Sequence, residues 1–440
     1  MPKKSIHSEK TWFENILFSN KIEFFLIIAV LVLFISTAIL TITIRADTKS
    51  RQVNLFLSLR CEELLGKEIT EKLLKEFSLL NPDIQIRLQE EGEIPDIFIF
   101  DDSDFSALVA AETLAELSFF YNRDISEKSN NEFDDDDTIY FKSPLLAIPL
   151  VSFMDLLFYN IDILSAAGFF QPPKTRDEFL SCIRAVSRGN FPGISAAAFN
   201  LSPDDPQALS RDIFSWIWAA GGNFWTDDNY LPAANASTLT SAFTFFGSVN
   251  RELQTGQMLN SPGVFERTGS RQIEEFANGQ LVLMFASSRF IPYLRERMGD
   301  NSFGITTIPD LGTGRRYNIG LSSIYVGINA KSSHLDDKSK NAAWYFLKFL
   351  EEKSPLFCAE LKAIPGSVSN VIPGDYVKDD PFYSKAWDIF EVSWIVHGFS
   401  GKPGAHEYEA IFLEELRSFF EGNRTAMQAA AAIQRRWEEK

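Results

Sequence analysis

Little in this 440-residue chain marks a reactive centre. Its three cysteines, Cys61, Cys182 and Cys358, are odd in number and widely spaced. They supply neither a disulfide framework nor a Cys-x-x-Cys metal or redox pair, and no bridge is expected. The four histidines, His7, His334, His397 and His406, lack metal-ligand spacing, and no phosphate loop, His-Glu-x-x-His or Gly-x-Ser-x-Gly pattern occurs. Gly312-Thr-Gly314 is followed by no helical pattern with a third glycine, which argues against a nucleotide loop. The acidic run at 130–138, with Asp134 to Asp137 contiguous, lacks the spaced ligands and glycine turn of a calcium loop and reads as a solvated loop. No metal or cofactor is expected. Positive charge is also scarce: 42 Lys and Arg face 59 Asp and Glu, and the net charge of −17 opposes nonspecific binding to nucleic acid or to an acidic membrane surface. The many carboxylates leave open a glycosidase pair, which needs only two of them at the right separation.

What the chain has in quantity is apolar surface. Hydrophobic residues make up 45% and charged residues 23%, a globular composition, and 40 phenylalanines supply ample core. The phenylalanine excess reads as packing. The length suits two lobes of about 150 to 200 residues each. From Phe24 to Ile44 run 21 residues without a charge, about 30 Å of helix at 1.5 Å per residue and enough to cross a bilayer. The expected order is a polar segment at 1–21, an uncleaved transmembrane signal anchor at 22–44 and a linker at 45–51. No small-x-small site followed by Cys succeeds the apolar run, and Cys61 lies too far on, behind Arg60, to be a lipid anchor. Lys3, Lys4, Lys10 and Lys21 are answered by Arg45, Lys49 and Arg51, so basic residues orient the anchor only weakly.

Beyond the linker the pattern is α/β. Val53 to Leu57 reads as a strand. Leu64 to Leu80 reads as a helix with Leu65, Ile69, Leu73 and Phe77 on its buried face, stopped by Asn81-Pro82. Ile84, Ile86 and Leu88 alternate, and Ile94 to Phe100 is the continuous apolar run of a strand covered on both faces. Thr175, with Glu178 three residues on and prolines before it, forms a capping box for a helix that aligns Phe179, Ile183 and Val186 on one face. A helix ends at Gly279 before the strand around Leu283, and Thr425 with Gln428 caps the last helix.

In such folds ligands sit beyond the carboxyl ends of parallel strands, where loops of two lobes face a crevice. Asp101, Asp102, Ser103 and Asp104 follow one strand and could accept hydrogen bonds from hydroxyls or pair with a cation. Helix capping by Ser103 or Asp104 is the equal alternative. Arg60 and Glu62 follow the first strand, as site groups or as solvated loop charges. Trp225, after a Gly-Gly turn, and Trp394, in a Gly- and Pro-flanked region, are candidate stacking faces or packing, whereas Trp216 and Trp218 belong mainly to core.

The succession Ile148-Pro149, Leu157-Phe158-Tyr159-Asn160, Ala167-Gly168 and Pro172 to Phe179 resembles the extracellular solute-binding proteins, family 1, that feed ATP-binding-cassette importers of sugars. Phe276 to Phe285, Phe303 to Pro309, Ser322 to Ile328, Ala342 to Leu350 and Ile364-Pro365 follow in the family order, so the resemblance spans about 52 to 440. It implies a type II-like two-lobed periplasmic-binding fold, with lobe 1 at 52–150 and 288–352, lobe 2 at 151–287 and 353–440, and three crossings near Pro149 to Met154, Leu283 to Ser287 and Leu350 to Pro355. It further implies a monomer on the outer, periplasmic side of the inner membrane that binds a small molecule, a carbohydrate by family precedent, and hands it to permease subunits without reacting it. Ser287, Ser288, Arg289 and Phe290 stand at a family crossing, as ligand groups or as a polar hinge turn, and Ser322 joins them as a candidate. Where a well-known member has an acidic residue before the Tyr-Asn strand, this chain has Phe153, with Asp155 two places on, so that assignment does not transfer and both are kept as candidates. Two other classes remain open: an extracytoplasmic glycan-acting enzyme, and a tethered sensor or scaffold.

Overall fold

A computed structural model describes residues 52–61, 67–128, 145–202, 209–222, 224, 233–253, 268–310, 317–366, 375–396, 399, 401–402 and 404–440. The expected anchor at 22–44 and the acidic loop at 130–138 lie outside these residues. Among the described residues, no helix is long and apolar enough to cross a membrane.

Ten strands are described: β1 Val53–Leu59, β2 Ile84–Leu88, β3 Ile97–Asp101, β4 Ile148–Asn160, β5 Ser195–Ala198, β6 Leu281–Ser287, β7 Phe303–Thr306, β8 Tyr317–Ile328, β9 Ile364–Pro365 and β10 Ser393–Val396. They join in the order β2-β1-β3-β8-β4-β6-β5, with β10 on β8 and both β7 and β9 on β4. β1 runs parallel to β2 and β3, and the helix Lys67–Leu80 lies on the connection from β1 to β2 that a parallel pair requires. β4 and β8, of 13 and 12 residues, are about twice an ordinary strand in length. They pair antiparallel through their middles, Ser152 to Ser323, Phe153 to Ser322 and Met154 to Leu321.

That length lets two strands serve two cores. The first half of β4 and the second half of β8 pack with Leu55, Leu57, Phe77, Ile97, Trp344, Leu347 and Phe357. The second half of β4 leaves Leu157 in a core with Phe179, Phe199, Trp216, Trp218, Phe243 and Phe412. On the opposite face, Met154, Leu156 and Phe158 pack with Phe276, Phe303, Ile305, Ile319 and Trp387. The result is a two-lobed α/β architecture with helices on both sheet faces. Ile291, Leu294, Phe303, Ile305 and Ile319 contribute to the second set of cores, and the helix Ser354–Leu361 to the first.

The aromatic excess is consumed in these cores. Phe179 meets Trp216 edge-on with centroids 4.8 Å apart, and Phe214 meets Phe412 in the same way at 4.8 Å. Trp216 and Trp218 are fully buried, so their assignment to core holds. The capping box is present as expected: Thr175 Oγ1 accepts from Glu178 N at 3.2 Å, Glu178 Oε2 accepts from Thr175 N, and the helix Arg176–Arg188 follows. Thr425 and Gln428 form a second box ahead of Ala426–Glu438.

Candidate functional site

The carboxyl ends of β1 and β3 open beside the β4–β8 crossing. Asp101 ends β3 and caps the helix Asp102–Ala110, accepting from Ser103 N at 3.0 Å. The cap is therefore Asp101, not Ser103 or Asp104, because the aspartate at the strand end already has the extended backbone a cap requires. Asp102 turns inward and is buried. Its carboxylate accepts from Ser323 N of β8 and from Tyr325 Oη at 3.1 Å. Asp104 pairs with Arg60 at 3.3 Å on the rim, and the Arg60 guanidinium lies 5.0 Å from the Phe98 ring centroid. Ser152 and Ser323 share a hydrogen bond of 2.7 Å across the crossing strands.

Across the crossing, Asp155 stands on β4 in register with Ser287 of β6 and is 8% exposed. It accepts no hydrogen bond from a described residue. Gly320 on β8 permits its position, since a Cβ there would lie 3.0 Å from Asp155 Oδ2 and 3.0 Å from the Trp218 ring. Burial pushes the Asp155 carboxyl from an ordinary 3.8 up to about 7; Arg211 and Arg289 draw it down, while Asp212 and Asp102 push it further up. Asp212 is fully buried and bonded to Arg211 Nε at 2.8 Å, both within a one-turn π-helix at Ser210–Phe214. Three carboxyls from three elements thus face two guanidiniums around the crossing.

A model of the bacterial extracellular solute-binding proteins matches residues 82–357, more than half of the chain. The chain belongs to this family. A binding protein of Brucella abortus is similar to this solute-binding protein, 22% identical over 307 residues that cover 64% of this chain and 68% of that one. Among solved structures, a maltose-bound protein of T. maritima superposes with a TM-score of 0.65 at 18% identity over 88% of this chain and 99% of that one. A cyclic alpha-maltosyl-1,6-maltose binding protein of Arthrobacter globiformis gives 0.69 at 16% identity, covering 88% and 98%. A solute-binding protein of an Agrobacterium radiobacter ABC transporter, in complex with ribitol, gives 0.62 at 21% identity, covering 88% and 98%. These likenesses show the two-lobed fold of the periplasmic binding proteins.

The remaining expected site residues of this solute-binding protein fall into four groups. Ser287 and Ser288 are buried: Ser287 Oγ accepts from Arg289 N at 3.4 Å, and Ser288 Oγ accepts from Met154 N at 3.0 Å, tying the turn after β6 to β4. Phe153 is core, and Phe290 lies under the Arg289 guanidinium at 4.7 Å. Ser322 Oγ is buried with no hydrogen-bond partner among the described residues, and Trp394 on β10 is 62% exposed. Glu62 and Trp225 lie outside the described residues. Sequence reasoning missed Arg211, Asp212 and Gly320. The π-turn carries no periodic signal, and a glycine within a strand discloses a close approach only once its neighbours are placed. Among the described residues, no group of three or more His, Cys, Asp or Glu side chains is placed to hold a metal.

Proposed function

We propose that this protein captures a carbohydrate between its lobes and delivers it to an ATP-binding-cassette importer without reacting it. The observation that carries the reading is the convergence of Asp102, Asp155 and the Arg211–Asp212 pair on the β4–β8 crossing, where one ligand can touch both lobes. Asp155 and Ser322 would accept or donate hydrogen bonds to ligand hydroxyls, Arg289 would assist, and Trp394 would offer a ring face. Arg60 and Asp104 would meet the ligand from the rim. Packing supports lobes of 52–153 with 322–363 and of 154–321 with 364–440, shifting the expected boundaries at 288 and 353. Ligand contacts to both lobes would stabilise the closed arrangement, and the permease would reopen it. The maltose and ribitol bound by structural neighbours support the ligand class.

The uncharged run at 24–44 supports an anchored protein, and the family resemblance supports a monomer with its lobes on the outer side of the inner membrane. A thermal-shift screen of the full chain in detergent, with maltose, mannotriose, ribitol, amino acids and polyamines, tests the reading. A saccharide at a hundredfold excess over its dissociation constant should add about 2.7 kcal/mol of stability. A shift with amino acids or polyamines alone would overturn the carbohydrate assignment.

A further inference from the structure

The start of β1 is fixed against one turn. Val53 N donates to Asp83 O at 2.9 Å, Gln52 Nε2 donates to Pro82 O at 3.4 Å, and Val53 pairs with Ile84. That turn closes the helix Lys67–Leu80, whose last residues, Leu79 and Leu80, are 75% and 64% exposed while Leu73 and Phe77 face the core. Scattered exposed leucines are ordinary on a protein surface. These two stand where the chain arrives from its apolar segment. Residues 45–51 bridge from Ile44 to this point and, at up to about 3.6 Å per residue, reach about 25 Å. A chain spanning the bilayer at 24–44 therefore keeps this end of the first lobe within about 25 Å of the headgroups.

The chemistry of the patch agrees. Lys72, Lys75 and Leu79 are exposed at the i, i+3, i+7 spacing of one helical face, which puts two ammonium groups behind the leucines, with exposed Glu68 and Glu71 toward the far end of the helix. The linker itself carries Arg45, Lys49 and Arg51 against Asp47. Basic groups at headgroup level with leucines at the acyl boundary are the arrangement by which a helix face rests on a membrane. The net charge of −17 repels most of the surface from anionic lipid, so contact is confined to such a patch. Exposed Asp83 in the adjoining turn limits its depth.

We propose that Leu79 and Leu80, backed by Lys72 and Lys75, form a bilayer-contact site that seats the first lobe on the membrane its amino-terminal segment spans. The inference rests on the anchored reading given above. The test uses the full chain in vesicles of phosphatidylcholine and phosphatidylglycerol, with an environment-sensitive fluorophore on Leu79→Cys and, as control, on Met427→Cys. Met427 is 70% exposed on the second lobe, and the three native thiols are buried and escape labelling in the folded protein. Alkaline carbonate extraction of the same vesicles reports on the anchor independently. The site predicts a blue shift and intensity gain at position 79, none at 427, and loss of the shift when Lys72→Glu and Lys75→Glu are added. A water-like spectrum at 79 on a chain that resists extraction overturns the contact and leaves the anchor standing. A probe that shifts only when permease subunits are added overturns the contact in the same way. A chain extracted by carbonate, with 79 in water, overturns both.

Discussion

Replacing Asp155 by Asn should make the protein more stable above neutral pH. Asp155 is buried, accepts no hydrogen bond from a described residue, and is held at about 7 against an ordinary 3.8, chiefly by burial. Below about pH 4 the carboxyl is protonated in both folded and unfolded chains and contributes nothing to the pH dependence. Between the two values the folded protein binds more protons than the unfolded chain, so stability falls as pH rises, and the full cost is present above about 7. At about 1.4 kcal/mol per pH unit the gap sets a ceiling of about 4 kcal/mol, which structural relaxation reduces. Asn keeps the shape and cannot ionise. Urea denaturation of both proteins in detergent should therefore show a gain for Asp155→Asn of a few kcal/mol at pH 8 that shrinks toward zero at pH 4. An equal difference at both pH values, or a loss at pH 8, would refute the picture of a buried carboxylate without a hydrogen-bond donor. A site group that lowers stability for the sake of ligand contact is the pattern expected of function.

Three further outcomes follow from the packing. Thr175→Ala removes one half of the capping box and should cost about 1 kcal/mol, read as a small drop in melting temperature with ligand affinity unchanged. Arg211→Ala removes the guanidinium 2.8 Å from fully buried Asp212, which keeps the Asn200 amide as a donor, and should cost about 3 kcal/mol in denaturation. The loss should be worse at high pH, because Arg211 also draws the Asp155 carboxyl down. Gly401 touches the first lobe through its amide, which donates to Ser106 Oγ at 3.3 Å, and stands at φ +71 with Phe105 Cε1 only 2.5 Å from any added Cβ. Gly401→Ala should force the lobes apart and raise the radius of gyration in solution scattering, and an unchanged value would count against this inter-lobe contact.

Local chemistry explains which parts were legible in the sequence. The capped helix at Thr175, the stop at Asn81-Pro82 and the strand within the apolar run ending at Phe100 are each decided by a few neighbouring residues. The family order placed them in one fold. The crossing near Pro149 to Met154 came from the family order and not from the residues of β4 or β8 themselves, since a change of core midway along a strand depends on what packs on each half. The same limit governs the site. The acidic group after β3 was visible as a cluster, yet its members divide into a cap, an inward acceptor and a rim ion pair only when Ser323, Tyr325 and Arg60 are in place. Asp155 was visible as a residue, but its burial and its charged neighbours were not.

Isothermal titration of the full chain with the saccharide that gives the largest thermal shift tests the central claim most directly. Capture without chemistry predicts saturable one-site heats that weaken in Asp155→Ala, with the saccharide recovered unchanged. A steady heat flow that persists after each injection, with product in the recovered solution, would contradict it and make the protein an enzyme.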